Sequence, residues 1–388
     1  MKQCKFKLVV LLLLLVIIAI PLTISALEET PVARVQEVVS LRSTNSETYL
    51  LSDGSYECVI YAYDKYYYDN TGSFRQIDNS IIPDESDAKA TGLRYKNRAN
   101  RFDISFSDTV APTVTMVQDG QTLTFSAESA AGGNPFHTTA DQQAVRLGAV
   151  NSCSTLSAIA ETGSNTITYA NAFYNTDIVY NLHNHALKEY IILKNGNAPN
   201  EITFLFSTEG LTLKQSGNTA VFLDKKGTEV FALGQLFAID ANGEYTDALT
   251  YTFTPVKGTE NTLVTVTLDK AYLNATTRAF PVVIDPTLEI SSTKNPDASV
   301  YSAHPDTNYK YDNRLRTGKE SSYGKCRSYI AFTMPTNISS GQVTEATLSL
   351  RKYSGSTPAA RAYRCEGSWT SGSITWNNMR IYRGEHFF

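Results

Sequence analysis

The residues with the most legible chemistry lie in the segment DTNYKYDNRLRTG at 306–318. Arg314 and Arg316 are two apart, so on a β-strand both would project to one face and could each grip a carboxylate bidentately. Tyr309 and Tyr311 would offer stacking surfaces beside them, with Asn313 between the charged positions, an arrangement suited to an acidic polysaccharide. The same segment admits a structural reading, in which Asp312 and Arg314 pair to pin the loop to a sheet. Both readings stay open at this level. Oxygen-rich loops at sandwich rims bind calcium, which makes Asp297, Asp306 and Asp312 candidates for a structural Ca²⁺; no other cofactor is expected.

Other candidate chemistry is weaker. His183-Asn184-His185 has the H-x-H spacing that places two ligands on one strand face, but the surrounding run breaks at Asn184 and reads better as a hairpin turn. Tyr66-Tyr67-Tyr68 suits stacking on a pyranose, and tyrosine is equally a good residue for half-exposed strands, which is the expected reading of most of the 23 tyrosines. No nucleophile elbow, zincin helix or phosphate loop is present, and Gly132-Gly133 lacks the strand-to-helix framing of a phosphate cradle. No catalytic residue is assigned, and the chain is not expected to be an enzyme.

The elements that must position these residues are strands. From about residue 48, short β-rich runs recur at roughly ten-residue spacing, among them 56–63, 102–107, 113–117, 121–127, 201–207, 249–256 and 261–268. Several alternate apolar with polar, as half-buried antiparallel strands do. Asp69-Asn70-Thr71-Gly72, Asp224-Lys225-Lys226-Gly227 and Asp240-Ala241-Asn242-Gly243 share one turn device, Asp capping the turn and Gly taking positive φ. The spacing predicts an all-β fold, an antiparallel sandwich or meander, with helices only at Val32–Leu41 and Ala140–Leu147.

Charge and composition divide the chain. Lys2, Lys5 and Lys7 precede an apolar run over 8–20 and small residues at Ser25 and Ala26, the pattern of a secretory signal peptide over 1–26. With that run short of the ~20 residues that span a bilayer, no stable membrane insertion is expected after cleavage. A boundary is expected near Asp285-Pro286-Thr287. Residues 27–288 carry a net charge of −12, whereas 289–388 carry +5. The formal −4 of the whole excludes a chain basic throughout, so no nucleic-acid partner is expected. Cys58, Cys153, Cys326 and Cys365 allow three disulfide pairings; if each region closes its own, they are 58 with 153 and 326 with 365, and four free thiols are as well supported.

The Asp312-Asn313-Arg314-Leu315-Arg316 motif is followed by a strand with Phe332, a strand over Ala346–Leu350, Trp369, and Ile374-Thr375-Trp376-Asn377-Asn378. In these blocks the chain resembles the DNRLRE domain, a secreted bacterial β module of carbohydrate-binding module family 96, with Thr317 where the motif has Glu. Residues 100–107, 179–193 and 280–287 are similar in layout to regions that accompany such modules in wall-associated RHS-type surface proteins of Gram-positive bacteria. The resemblance implies a jelly-roll module over 289–388 whose last strands are missing, so a protein partner is expected to cover the open core. It also implies a secreted, extracellular or cell-wall location and a polysaccharide ligand. The alternatives are a structural or delivery fragment of an RHS-type surface protein or toxin, and a polysaccharide-degrading enzyme with its site in 27–288.

Overall fold

The computed structural model describes residues 31–84, 92–109, 111–130, 145–147, 163–290, 296–312, 314–336, 342–350, 361–365 and 367–379. These fall into two compact units, one holding residues 31–40 and 48–58, the other 41–47 and everything from 59 onward.

In the first unit, β1 (Arg34–Glu37) runs antiparallel to β2 (Ser46–Leu51), and β3 (Tyr56–Ile60) lies beyond β2. Arg34 donates to both carboxylate oxygens of Glu57 at 2.6 and 2.9 Å. The helix expected over Val32–Leu41 does not form; a strand and a short 3₁₀ turn at Val39–Leu41 stand there instead. Val32, Val35 and Val39 are exposed, so no buried face rewards a helix, and β-branched side chains favour the extended backbone.

The second unit begins with a hairpin of β4 (Tyr66–Tyr68) and β5 (Phe74–Gln76). A meander follows through β6 (Asp78–Pro83), β7 (Leu93–Ala99), β8 (Asp103–Ser107), β9 (Thr113–Gln118) and β10 (Gln121–Ala130). Next come β11 (Val145–Leu147), β12 (Thr166–Phe173), β13 (Thr176–Leu182), β14 (Ala186–Leu193) and β15 (Glu201–Ser207). The strands β16 (Thr212–Ser216), β17 (Thr219–Leu223), β18 (Glu229–Leu233), β19 (Ala238–Ile239), β20 (Tyr245–Thr246), β21 (Leu249–Pro255) and β22 (Asn261–Leu268) continue it. After the single-turn helix α1 (Lys270–Leu273) stand β23 (Val282–Ile284), β24 (Thr287–Ile290), β25 (Asp297–Tyr301), β26 (Gly318–Glu320) and β27 (Gly324–Ile330). Of the second expected helix, residues 140–144 lie outside the described residues and Val145–Leu147 is a strand paired with β12.

Two large antiparallel sheets result. One has the order β21-β22-β15-β10-β9-β8-β7-β6; the other runs β11-β12-β13-β14-β24-β18-β17-β16, with β23 and β19 attached beside β14. In the first sheet β9, β15 and β22 alternate buried with partly exposed side chains, so one face supplies the core. In the second, β13 and β14 are buried at nearly every position. Their two faces serve separate apolar clusters, one with Tyr180 and Ile191, the other with Val179, Tyr190 and Ile192. Phe106 and Phe125 pack on Tyr180, Phe206 stacks on Phe222, and the Tyr169 hydroxyl donates to the Ser107 carbonyl at 2.7 Å, which joins the sheets face to face as a sandwich. Tyr169, Tyr180, Tyr190 and Tyr301 are fully buried, so the tyrosine excess reflects core aromatics as well as half-exposed strands.

The shared turn device works as its residues dictate. Asp69, Asp224 and Asp240 each accept two backbone N–H groups through Oδ1, at 2.8–3.0 Å, and Gly72, Gly227 and Gly243 sit at φ of 79–82°. The expected boundary at Asp285–Thr287 ends on the first residue of β24, which lies between β14 and β18 in the second sheet.

The small sheet β25-β27-β26 carries the C-terminal chemistry. Alternation gives it two faces. Ala298 and Val300 pack with Tyr329, Trp369, Ile374, Trp376 and Met379 on one side, while Tyr301, Tyr323 and Cys326 pack with Tyr309 on the other. The strand expected over Ala346–Leu350 is absent: these residues belong to no strand, and Leu350 is exposed.

Candidate functional site

The segment from Asp306 to Thr317 is irregular and lies against the Tyr301 face of the small sheet. The Ser299 hydroxyl donates to the Arg314 carbonyl at 3.2 Å and the Ser328 hydroxyl to the Arg316 carbonyl at 2.9 Å, so neighbouring strands hold its backbone. Arg316 is almost wholly buried. Its Nη1 donates to Asp312 Oδ2 and to the Tyr301 hydroxyl (3.1 Å), its Nη2 to the Tyr245 hydroxyl (3.1 Å), and its Nε faces Glu320 Oε2 at 3.3 Å. Burial pulls its pKa down, but Asp312 and Tyr301 outweigh burial and hold the proton more firmly than usual. Arg314 stands over the rings of Tyr245 (4.0 Å) and Phe237 (4.9 Å), and its backbone N–H donates to Asp312 Oδ1. The strand geometry expected for this arginine pair is therefore replaced by a loop that turns both guanidinium groups onto protein aromatics. The side chain paired with Asp312 is Arg316, not Arg314.

Tyr311 accepts from Lys310 Nζ at 2.9 Å, and the same ammonium pairs with Glu229 at 3.0 Å. Burial, then the hydrogen bond with Glu229, raises the Tyr311 hydroxyl. Asn313 lies outside the described residues. Tyr309 meets Tyr301 edge-on at 4.4 Å, and burial first, then Asp312, pushes its hydroxyl up to about 12.

Of the expected site residues, Tyr309 borders an open cleft of about 510 Å³. Gln215, Asn218, Asp247, His304 and Tyr323 are also in its walls. The Tyr323 hydroxyl donates to Asp247 Oδ2 at 2.6 Å, His304 Nε2 lies 3.3 Å from the Ser322 carbonyl, and Asn218 spans the Leu249 carbonyl and Tyr251 N–H at 2.8 Å each. These residues are scattered over more than a hundred positions, and no local motif marks them.

A second surface lies on the other face of the small sheet. Lys325, Arg327 and Tyr329 alternate along one side of β27, and Lys319 is the register partner of Lys325 on β26. Lys319, Lys325 and Arg327 are exposed, and the Arg327 guanidinium lies 4.9 Å over the Trp376 ring. Trp369 packs edge-on against Tyr329 at 5.5 Å. The blocks that mark the segment in the sequence meet here: Asn308 donates to the carbonyls of Ser371 and Ile374, and Asn377 to Asp306 Oδ1, all at 2.7 Å.

His183-Asn184-His185 is the turn joining β13 and β14, with His183 N–H donating to the Ala186 carbonyl. His185 stacks on Tyr63 at 3.4 Å, and burial drops its pKa to about 3. Among the described residues no three His, Cys, Asp or Glu side chains are grouped to hold a metal; Asp312 is engaged by Arg316 and Asp306 by Asn377. Burial, then Asp312, raises Asp297 to about 6. Cys58, Cys326 and Cys365 are free thiols, and Cys153 lies outside the described residues. A bridge between Cys326 and Cys365 is thus not formed. Cys326 points to the Tyr301 face, whereas Cys365 neighbours Tyr329, which projects from the opposite face of β27.

Comparison with known proteins bears on the small-sheet region. Residues 289–386 match carbohydrate-binding module family 96, so the C-terminal part is a module of that type. The chain is 26% identical to a tRNA nuclease WapA of Bacillus subtilis (strain 168) and to a tRNA3(Ser)-specific nuclease WapA of Bacillus spizizenii, and 25% identical to a tRNA(Glu)-specific nuclease WapA of Bacillus subtilis subsp. natto. Each match covers 88% of this chain and 15% of the relative. No solved structure matches the chain. No helix of the described residues is long and apolar enough to cross a membrane.

Proposed function

We propose that the chain, with its family 96 carbohydrate-binding module, is a secreted, non-catalytic protein that attaches to acidic extracellular or cell-wall polysaccharide. The observation that carries the ligand class is the exposed row Lys319, Lys325 and Arg327 beside Trp376. Three cations on one face meet a polyanion along its length, and the indole adds an apolar surface for a sugar ring. The arginines of the motif are turned inward, whereas this row, like Arg361 and Arg364, is exposed to solvent. The signal-like residues 1–26 support export, and the family match to a binding module supports attachment without chemistry.

The test is retention of the chain on alginate, pectate, wall polysaccharide and neutral glucans at two salt concentrations. Acidic polymers should retain it at low salt and release it at high salt. No retention on any acidic polymer at low salt would sink the reading, and release of reducing ends or unsaturated uronate would replace it with an enzyme.

A second reading is favoured by the 15% span of the long WapA relatives: the chain serves as a structural or delivery portion of a longer protein of RHS type. A neighbouring reading frame that continues the relatives' sequence would support it.

A further inference from the structure

We propose that the cleft at Asp247 and Tyr323 is a second saccharide site, distinct from the basic row, and that it takes a neutral, hydroxyl-rich sugar. Its volume of about 510 Å³ falls in the range of ligand sites. One wall is the hairpin of β16 and β17, which supplies Gln215 and Asn218, with Asp247 from the connection before β21. The other wall is the module, which supplies His304, Tyr309 and Tyr323. The family 96 region therefore contributes only part of it.

Three features select the ligand. First, no Lys or Arg is among the residues lining the cleft, and its carboxylate is Asp247. A uronate entering there would meet a like charge with no Lys or Arg in the walls to offset it, whereas sugar hydroxyls would find an acceptor. Asp247 Oδ2 already accepts from Tyr323, and Oδ1 has no protein donor among the described residues. Second, Tyr309 and Tyr323 pack edge-on at 83°, with Tyr323 buried and Tyr309 only half-buried, so Tyr309 is the aromatic surface left for the apolar face of a pyranose. Third, the walls are already tied together. Besides the Tyr323–Asp247 bond, the Gln235 N–H donates to the Tyr311 carbonyl at 3.1 Å and Lys310 pairs with Glu229, so little ordering cost falls on binding.

The cleft and the basic row use opposite faces of the small sheet, since Tyr323 clusters with Tyr301 and Cys326 while Arg327 lies over Trp376. One chain can then hold a charged polymer on one side and a neutral sugar on the other. The choice of a saccharide over another polyol rests on the carbohydrate-binding reading of the module; the location of the site does not.

Calorimetric titration of the chain with neutral oligosaccharides of glucose, xylose and N-acetylglucosamine, alongside oligouronates, tests this. A neutral series should bind. Gln215→Ala, at an exposed position, and Asp247→Asn, which keeps an acceptor for Tyr323, should each weaken it tenfold or more with unchanged melting temperature. Lys325→Glu should leave that affinity intact while lowering retention on acidic polymers, so the two sites fail separately. The proposal is overturned if no neutral oligosaccharide binds the folded chain, if Gln215→Ala leaves binding unchanged, or if oligouronates compete at the cleft with equal affinity.

Discussion

Asp312 and Arg316, four residues apart in an irregular segment, form a buried ion pair in which Asp312 Oδ2 also accepts the Tyr301 hydroxyl. The side chains are 1% and 9% exposed, so each charge depends on the other. Removing one partner leaves the other buried without its counter-ion, and both Asp312→Ala and Arg316→Ala should cost about 3–5 kcal/mol of stability. Urea denaturation measures this. A ligand-gripping Arg316 would behave oppositely, with Arg316→Ala keeping its stability and losing only polymer retention.

The basic row should show that opposite behaviour. Lys319→Glu and Lys325→Glu sit at exposed positions and should each change stability by no more than about 0.5 kcal/mol, and Arg327→Glu, which also loses its contact with Trp376, by about 1 kcal/mol. Each should lower retention on acidic polymer at low salt, and the triple reversal should abolish it. Affinity electrophoresis in gels containing the polymer, read at two ionic strengths, separates this loss from a change in folding.

What was legible in the residues follows the range of the interactions. Asp224 and Gly227 announce their hairpin because the turn is closed by their own side chain and backbone. His183 and His185 read correctly as a turn because the run breaks at Asn184. Arg314 and Arg316 were placed on a strand because spacing alone cannot reveal Tyr245 and Phe237, about seventy residues upstream, whose rings draw the guanidinium groups inward. The helix expected over Val32–Leu41 has no buried face to reward it, and only Arg34–Glu37 takes regular structure as a strand, followed by the short 3₁₀ turn. The cleft was illegible for the same reason as the arginines. Gln215, Asp247 and Tyr323 come from β16, the connection before β21 and the small-sheet region, and meet only in the tertiary fold.

A second buried pair sets the acid limit. Arg278 Nη1 lies 2.8 Å from Asp240 Oδ2, both fully buried, with the guanidinium 3.4 Å over the Tyr272 ring. Burial alone would raise Asp240, but hydrogen bonds from Glu244 and Ala279 N–H, from Arg278 and from Asn242 N–H hold its carboxyl below the ordinary range. A carboxyl depressed in the folded state contributes stability above its unfolded pKa, and this is lost as pH falls through the folded value. Unfolding should therefore grow easier below about pH 4, a trend that Asp240→Asn weakens along with much of the stability, while depressed carboxyls such as Asp69 and Asp224 keep the rest of it. Arg278→Ala should cost about 3–5 kcal/mol at neutral pH.

The opposite sign holds at Glu189. It faces Tyr180 across β13 and β14, whose hydroxyl donates to Oε1 at 2.9 Å, and burial, opposed by that bond and assisted by Asp285, lifts its pKa to about 8. Glu289 and Asp297 are raised in the same direction, to about 7 and about 6, in both cases by burial first. A carboxyl raised in the folded state contributes stability that is complete below its unfolded pKa and is lost as pH rises through the folded one. Stability should thus decline from about pH 4.5 to about pH 8, with Glu189 responsible for the upper part of that window. Its full contribution is on the order of 5 kcal/mol. Glu189→Gln keeps an acceptor for Tyr180 and removes the titrating proton, so urea midpoints measured across pH 5–9 should flatten above about pH 7 in the variant. A variant whose midpoints fall as steeply as those of the parent chain would show that Glu189 ionises freely in the folded protein.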